Sequence, residues 1–396
     1  MSVWDALVGQ PSAVAVLQAA AQAARDIVAQ RPVPAGAMTH AWLFTGPPGS
    51  GRSVAARAFA AALQCDRPDE LGCGVCPACH TARSGSHPDV HSVVPEGLSI
   101  SVSEMRQVVG EAARLPTSGR WQVVVIEDAD RLTEQASNAL LKAVEEPAPR
   151  TVFLLCAPST HPDDVSVTIR SRCRHVSLRT PSADSVAAVL RAGGVPDALA
   201  SWAAQASQGH VGRARRLARD PEARARRASV LRIPASLTSL AACLDAAERL
   251  ITAAESEAAE YTAARNEEET DALRTALGAG GTGRGAGTAA RGSAGALKDL
   301  ERRQRSRATR TQRDSLDRAL TDLAAFYRDV LLVQTRSPVP AAHPDFDDDV
   351  RAVAVLVSPA GALERLDAVL ACREALDLNV KPRFAVQAMT ARLRLP

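Results

Sequence analysis

The apolar run "AWLF" (Ala41–Phe44) passes straight into "GPPGSGRSVAA" (Gly46–Ala56). A short apolar segment that ends at a glycine-rich turn and reopens as an Ala-rich stretch reads as strand, loop and helix. That unit constrains the fold more than any other feature, because it belongs in a parallel α/β sheet. Two more apolar runs, "WQVVVIEDA" (Trp121–Ala129) and "TVFLLCA" (Thr151–Ala157), read as buried strands. Between them "TEQASNALLKAVEE" reads as a helix with Thr133 as N-cap and Pro147 as its stop. Residues from about Pro11 to Gln30 read as helix too.

Beyond Pro181 the strand signals fade into short helices, then long ones such as Ser239–Glu260 and Ser315–Gln334. A chain of 396 residues exceeds one ordinary core, which predicts two or three domains. The expected architecture is α/β followed by all-α. Residues 1–180 form the sheet domain, 181–235 a small helical domain and 236–396 a larger helical one. The glycine-rich stretch at about 278–296 is expected to be flexible. The segment after it, "KDLERRQRSRATRTQR" (Lys298–Arg313), reads as the solvated arm of a helical hairpin or, alternatively, as a basic arm for DNA phosphates. No apolar run approaches a membrane span, and the N-terminus lacks the pattern of a secretory signal, so a cytoplasmic protein without a membrane partner is expected. The formal net charge of +3 neither demands nor excludes nucleic acid.

Gly46, Pro47, Gly49, Ser50, Gly51, Arg52 and Ser53 follow the phosphate-loop pattern G-x-x-x-x-G-K-[S/T], except that Arg52 stands in the lysine position. In such a loop the backbone N–H groups turn inward around phosphate oxygens at a helix N-terminus, and the hydroxyl holds Mg²⁺. Arginine keeps the charge but is bulkier and planar. Only three of the 47 basic residues are lysine, so compositional drift alone can explain Arg52. Glu127 and Asp128 end the second strand where such sites carry Asp-Glu, in reversed order. They can hold Mg²⁺ with ATP or ADP, or merely end a strand.

Cys65, Cys73, Cys76 and Cys79 have the spacing C-x7-C-x2-C-x2-C. Four thiolates this close suit a closed, structural Cys₄ Zn²⁺ site. An iron–sulfur run of the ferredoxin kind needs a further cysteine before proline, which is missing. Cys156, Cys173, Cys243 and Cys372 are scattered and read as small buried hydrophobes.

Taken together, "VGQ" (Val8–Gln10), "HAWLFTGPPGSGRS", the cysteine module, "NALLKAVEEP", "SRC" (Ser171–Cys173) and "LNVKPRFAVQAMTARL" resemble the bacterial clamp-loader family of AAA+ proteins over nearly the whole chain, the glycine-rich insert excepted. The resemblance implies an AAA+ sheet domain with its zinc module, a helical lid and a helical collar. It implies partners too: tau/gamma and delta subunits in a hetero-pentamer, the sliding clamp, and primed DNA. Four departures weaken the chain's own ATP site: Arg52, the reversed Glu127-Asp128, Ala157-Pro158 at a polar sensor position, and Gly212, beside Arg213, at a sensor arginine. These side with a delta-prime type of subunit with weak or no ATPase, within DNA polymerase III. The alternatives are an ATP-hydrolysing tau/gamma type, another AAA+ ATPase, or a nucleic-acid-binding module. By the same resemblance Arg172 is an arginine finger acting in trans on a neighbour's ATP.

Overall fold

The computed structural model describes the backbone of residues 2–276 and 286–396, and side chains outside 276–294, so residues 278–285 of the glycine-rich insert lie outside the described residues, while the backbone of 286–296 is helical. The chain divides into two compact units: Met1–Pro95 with Ser99–Arg219, and Glu96–Leu98 with Asp220–Pro396.

The first unit contains helix α1 (Pro11–Val28), strand β1 (Ala41–Thr45), α2 (Arg52–Gln64), α3 (Pro77–Ser84), β2 (Val90–Val93), α4 (Val102–Ala112), β3 (Gln122–Ile126), α5 (Glu134–Glu145), β4 (Thr151–Ala157), α6 (Val167–Arg170), β5 (Arg174–Ser177), α7 (Ala183–Ala192), α8 (Asp197–Ala206) and α9 (Val211–Arg219). The five strands form one parallel sheet in the order β2-β3-β4-β1-β5. β1, β3 and β4 are buried along their whole length, as three continuous apolar runs require.

Alternation of side chains gives the sheet two dry faces. On one, Trp42, Phe44, Val123 and Leu154 pack with Leu17 of α1 and Phe59 of α2. On the other, Leu43, Val124, Phe153 and Leu155 pack with Met105 of α4 and with Leu140 and Val144 of α5. Thr133 caps α5, its hydroxyl accepting from the Ala136 amide at 3.2 Å. β1 lies between β4 and β5, one strand in from the edge, and the loop after it leaves the carboxyl edge of the sheet, where ligands of open α/β sheets sit.

The second unit is helical: α10 (Pro221–Leu231), α11 (Ile233–Ser236), α12 (Leu240–Ala276), α13 (Ala286–Thr335), α14 (Asp347–Leu356), α15 (Pro359–Asp377) and α16 (Pro382–Arg392). Its core joins Leu231, Leu250, Leu323, Phe326, Tyr327, Val353, Val369 and Met389. α12 and α13 are longer than the expected segments and run side by side. Their seam is polar: Arg307 pairs with Glu269 at 2.9 Å, Arg318 with Glu257 at 2.9 Å, and Gln304 donates to the Asn266 carbonyl at 3.0 Å. The exposed Arg302 and Arg305 pair with Asp299 and Glu301 of their own helix. The arginine-rich stretch is therefore largely satisfied within the hairpin. None of the described helices is long and apolar enough to cross a membrane.

Candidate nucleotide loop, cysteine module and exposed arginine

Three glycines with positive φ build the loop after β1: Gly46 at 157°, Gly49 at 85° and Gly51 at 92°. Gly51 caps α2 in the left-handed region, so the amides of Arg52 and Ser53 open the helix without intrahelical acceptors. That is the backbone of an anion cradle at a helix N-terminus. The loop is pinned from three sides. The Gly46 amide donates to the Pro158 carbonyl at 3.1 Å. The buried Gln10 amide group donates to the carbonyls of Ser50 (3.3 Å) and Arg179 (2.6 Å). A methyl group on Gly49 would meet His210 Cβ at 2.7 Å, so the turn before α9 lies directly against the loop. Gln10 and His210 both position this loop. Gln10 was legible within "VGQ"; His210 carries no local sequence signal.

The charged groups of the loop are engaged within the unit. Arg52 Nη1 donates to the Gly46 carbonyl at 2.8 Å, folding the guanidinium back over the loop. Glu127, at the end of β3, is ion-paired with Arg57 of α2. Asp128 is left-handed at φ 52°, a conformation that aspartate tolerates better than most residues. Burial, with the Asp128 charge beside it, raises the Asp130 carboxyl above its usual range. The Ser50 hydroxyl is buried under Gly46 without a partner among the described residues. The position expected to carry a polar sensor, Ala157-Pro158, contributes a carbonyl to the loop instead of a side chain.

Cys65, Cys73, Cys76 and Cys79 converge as a second site. All four are buried, and their sulfurs lie within 4.8 Å of one another. Amides point at the sulfurs: Cys73 N–H at Cys65 Sγ (3.4 Å), Cys76 N–H at Cys73 Sγ (3.3 Å) and Cys79 N–H at Cys76 Sγ (3.4 Å). Burial pushes the Cys73 thiol up, but the amide bonds of Val75 and Cys76 outweigh it and bring the thiol down to about 7. Burial pushes the Cys79 thiol up. Four convergent soft donors with N–H groups aimed at sulfur fit a tetrahedral metal ion. The module is stitched to the N-terminus: Trp4 Nε1 donates to the Leu71 carbonyl at 2.6 Å and the Val3 amide to the Gly72 carbonyl at 2.9 Å. The other cysteines sit apart; Cys156, Cys243 and Cys372 are buried, and burial pushes the half-buried Cys173 up to about 12.

Arg172 stands away from the loop, between α6 and β5. Its side chain is 36% exposed and pairs with Glu145 of α5 at 2.5 Å.

Residues 22–182 match the family described as DNA polymerase III, delta subunit. The delta-prime subunit of Pseudomonas aeruginosa is 40% identical over 147 residues, 36% of this chain and 44% of the relative. Over residues 22–182 the chain is similar to DNA polymerase III delta-prime subunits. The delta-prime-like segment is also similar to the gamma/tau subunit of Mycobacterium tuberculosis, 35% identical over 147 residues, covering 37% of this chain and 25% of that protein. A solved gamma-subunit-related protein from Thermotoga maritima superimposes on 95% of this chain and 98% of its own at a TM-score of 0.44 with 15% identity. The chain spans less than half the length of the delta-prime relatives that it matches.

Proposed function

We propose that the chain is a delta-prime clamp-loader subunit that helps load the sliding clamp onto primed DNA, in a hetero-pentamer with tau/gamma and delta subunits. The observation that carries this reading is the state of the nucleotide loop. The cradle is intact in backbone, but Arg52 is folded onto the Gly46 carbonyl and Glu127 is held by Arg57. Such a loop can hold ATP or ADP through its amides, with Ser53 toward Mg²⁺, yet it is poorly arranged to activate water. A tau/gamma-type ATPase would need those two groups free.

In this reading the unit's contribution to hydrolysis is Arg172, aimed at ATP on an adjacent tau/gamma subunit, where an added cation stabilises transition-state charge. Residues 181–235 would act as the lid and 236–396 as the oligomerising collar. The four cysteines would hold Zn²⁺ as a structural brace.

The test is the purified chain, alone and mixed with its tau/gamma partner. Its bound nucleotide, its metal content and its ATP turnover would be measured. Negligible turnover alone, with assembly into an active complex, supports the reading. Robust turnover by the isolated chain that is lost on Arg52→Ala overturns it.

A further inference from the structure

Arg172 lies between two helix ends, both negative. Its Nη1 donates to the Thr168 carbonyl at 2.8 Å and to Ser171 Oγ at 3.3 Å. Thr168 belongs to the one-turn helix α6, and its carbonyl accepts from both the guanidinium and the Ser171 hydroxyl, the latter at 2.9 Å. Its Nη2 faces the Glu145 carboxylate at 2.5 Å. Glu145 is the last residue of α5 and Glu146 follows it. Carboxylates at a helix C-terminus oppose the helix dipole, so this position favours an acid only when a cation stands opposite. Arg172 is that cation.

We propose that Glu145 is the resident anion of the arginine finger: a positioning residue that holds Arg172 against its own subunit until a phosphate of a neighbour's nucleotide displaces it. This rests on the reading of Arg172 given above. The exchange is chemically even. A guanidinium nitrogen donates to a carboxylate oxygen or a phosphate oxygen alike, so only the anion facing Nη2 changes. It is also easy. Both partners are more than a third exposed, at 36% and 38%, and an exposed pair of this kind is weak. The bonds to Thr168 and Ser171 come from the other terminal nitrogen and persist as a pivot through the exchange. The carboxylate thus competes with the incoming phosphate and lowers the fraction of time that the finger is engaged.

The test uses the reconstituted complex with its own tau/gamma and delta subunits, assayed for steady-state ATPase with and without primed DNA. Glu145→Gln keeps the side chain's shape at an exposed helix end and removes its charge. The expected result is a DNA-independent kcat higher by about two- to five-fold, the range of an exposed ion pair, with KM for ATP unchanged. The increase should vanish in the Glu145→Gln/Arg172→Ala double variant, which a merely structural role for Glu145 would not produce. A kcat at or below that of the unmodified complex, with Arg172→Ala alone lowering the rate, overturns the clasp while leaving the finger intact. Full activity of Arg172→Ala would instead sink the finger, and the clasp with it.

Discussion

Arg57 of α2 and Glu127 at the end of β3 form an ion pair that bridges the helix after the nucleotide loop and the strand beside it. Glu127 is the more buried partner, 13% exposed against 43% for Arg57. Removing the arginine from such a pair would leave a carboxylate short of both water and countercharge, so the pair is self-maintaining. It also takes away the acid that a hydrolysing site would use.

Arg52→Lys should therefore leave the isolated chain without measurable ATP turnover. The substitution restores the lysine of the loop pattern but leaves Glu127 committed to Arg57. A phosphate-release assay on the purified variant checks this. Turnover clearly above that of the unmodified chain would mean that Arg52, and not the engaged acid, limits the site.

The four-cysteine module should bind one metal ion per chain, and its loss should loosen the N-terminus. Cys76 caps α3 through its sulfur, and Trp4 and Val3 hang on the Leu71 and Gly72 carbonyls. Chelation, or Cys79→Ser, should speed amide exchange at Val3 and through α3. The interior of β1, β3 and β4 should stay protected. Cys243→Ser serves as the control, since that thiol lies in the other unit. Unchanged exchange after complete metal removal would show that the module stands without an ion.

How far the sequence carried depends on what each element shows locally. β1, β3 and β4 were legible because each is an apolar run with no polar face, and the loop after β1 has its glycines at readable spacing. β2 ("VHSV") and β5 ("RHVS") were not. They are four residues long, lie at the two edges of the sheet, and carry polar residues outward, so their signal falls below that of a loop. α4 shows little in the sequence for a related reason: Met105 and Ala112 are its only buried residues. The four cysteines and the glycines announced their sites by spacing. The partners that now define those sites did not. Arg57, Glu145 and His210 lie tens of residues from the groups they touch, and nothing local marks Arg57 as the partner of Glu127.

Gly49→Ala should destabilise the first unit by more than backbone strain alone. A positive φ of 85° costs an alanine about 1–2 kcal/mol. Its methyl group would also sit 2.7 Å from His210 Cβ and 2.8 Å from His210 Cα, so the turn before α9 must move. Gly36 isolates the second effect. Its φ is 76°, and a methyl group there meets nothing within 4 Å. Urea melts followed by tryptophan fluorescence report on this unit, since Trp4, Trp42, Trp121 and Trp202 all belong to it. Gly49→Ala should lose at least about 1 kcal/mol more than Gly36→Ala. Equal losses would mean that His210 does not rest on the loop in solution.

The second unit should weaken as pH falls below neutrality, and His343 should be the reason. Arg227 Nη2 donates to His343 Nδ1 at 2.8 Å, and a guanidinium cannot accept, so that nitrogen must be bare. Nε2 carries the proton and donates to the Asp322 carbonyl at 3.2 Å. Burial first, and then the Arg227 charge, push the imidazole below its ordinary value, against the opposing pull of Asp322 and Asp329. The native chain therefore keeps His343 neutral where the unfolded chain, near 6.5, already takes a proton. Stability from this group is complete above about pH 6.5. It is lost as pH falls through that value toward the lower native one, at no more than about 1.4 kcal/mol per pH unit. Protonation sets donor against donor where α10 meets the 341–346 turn. Amide exchange in α10 should accelerate between pH 7.5 and 5.5 beyond the intrinsic pH effect on exchange, and His343→Gln, which cannot titrate, should flatten that dependence. A variant that keeps the full pH dependence would assign it to another group.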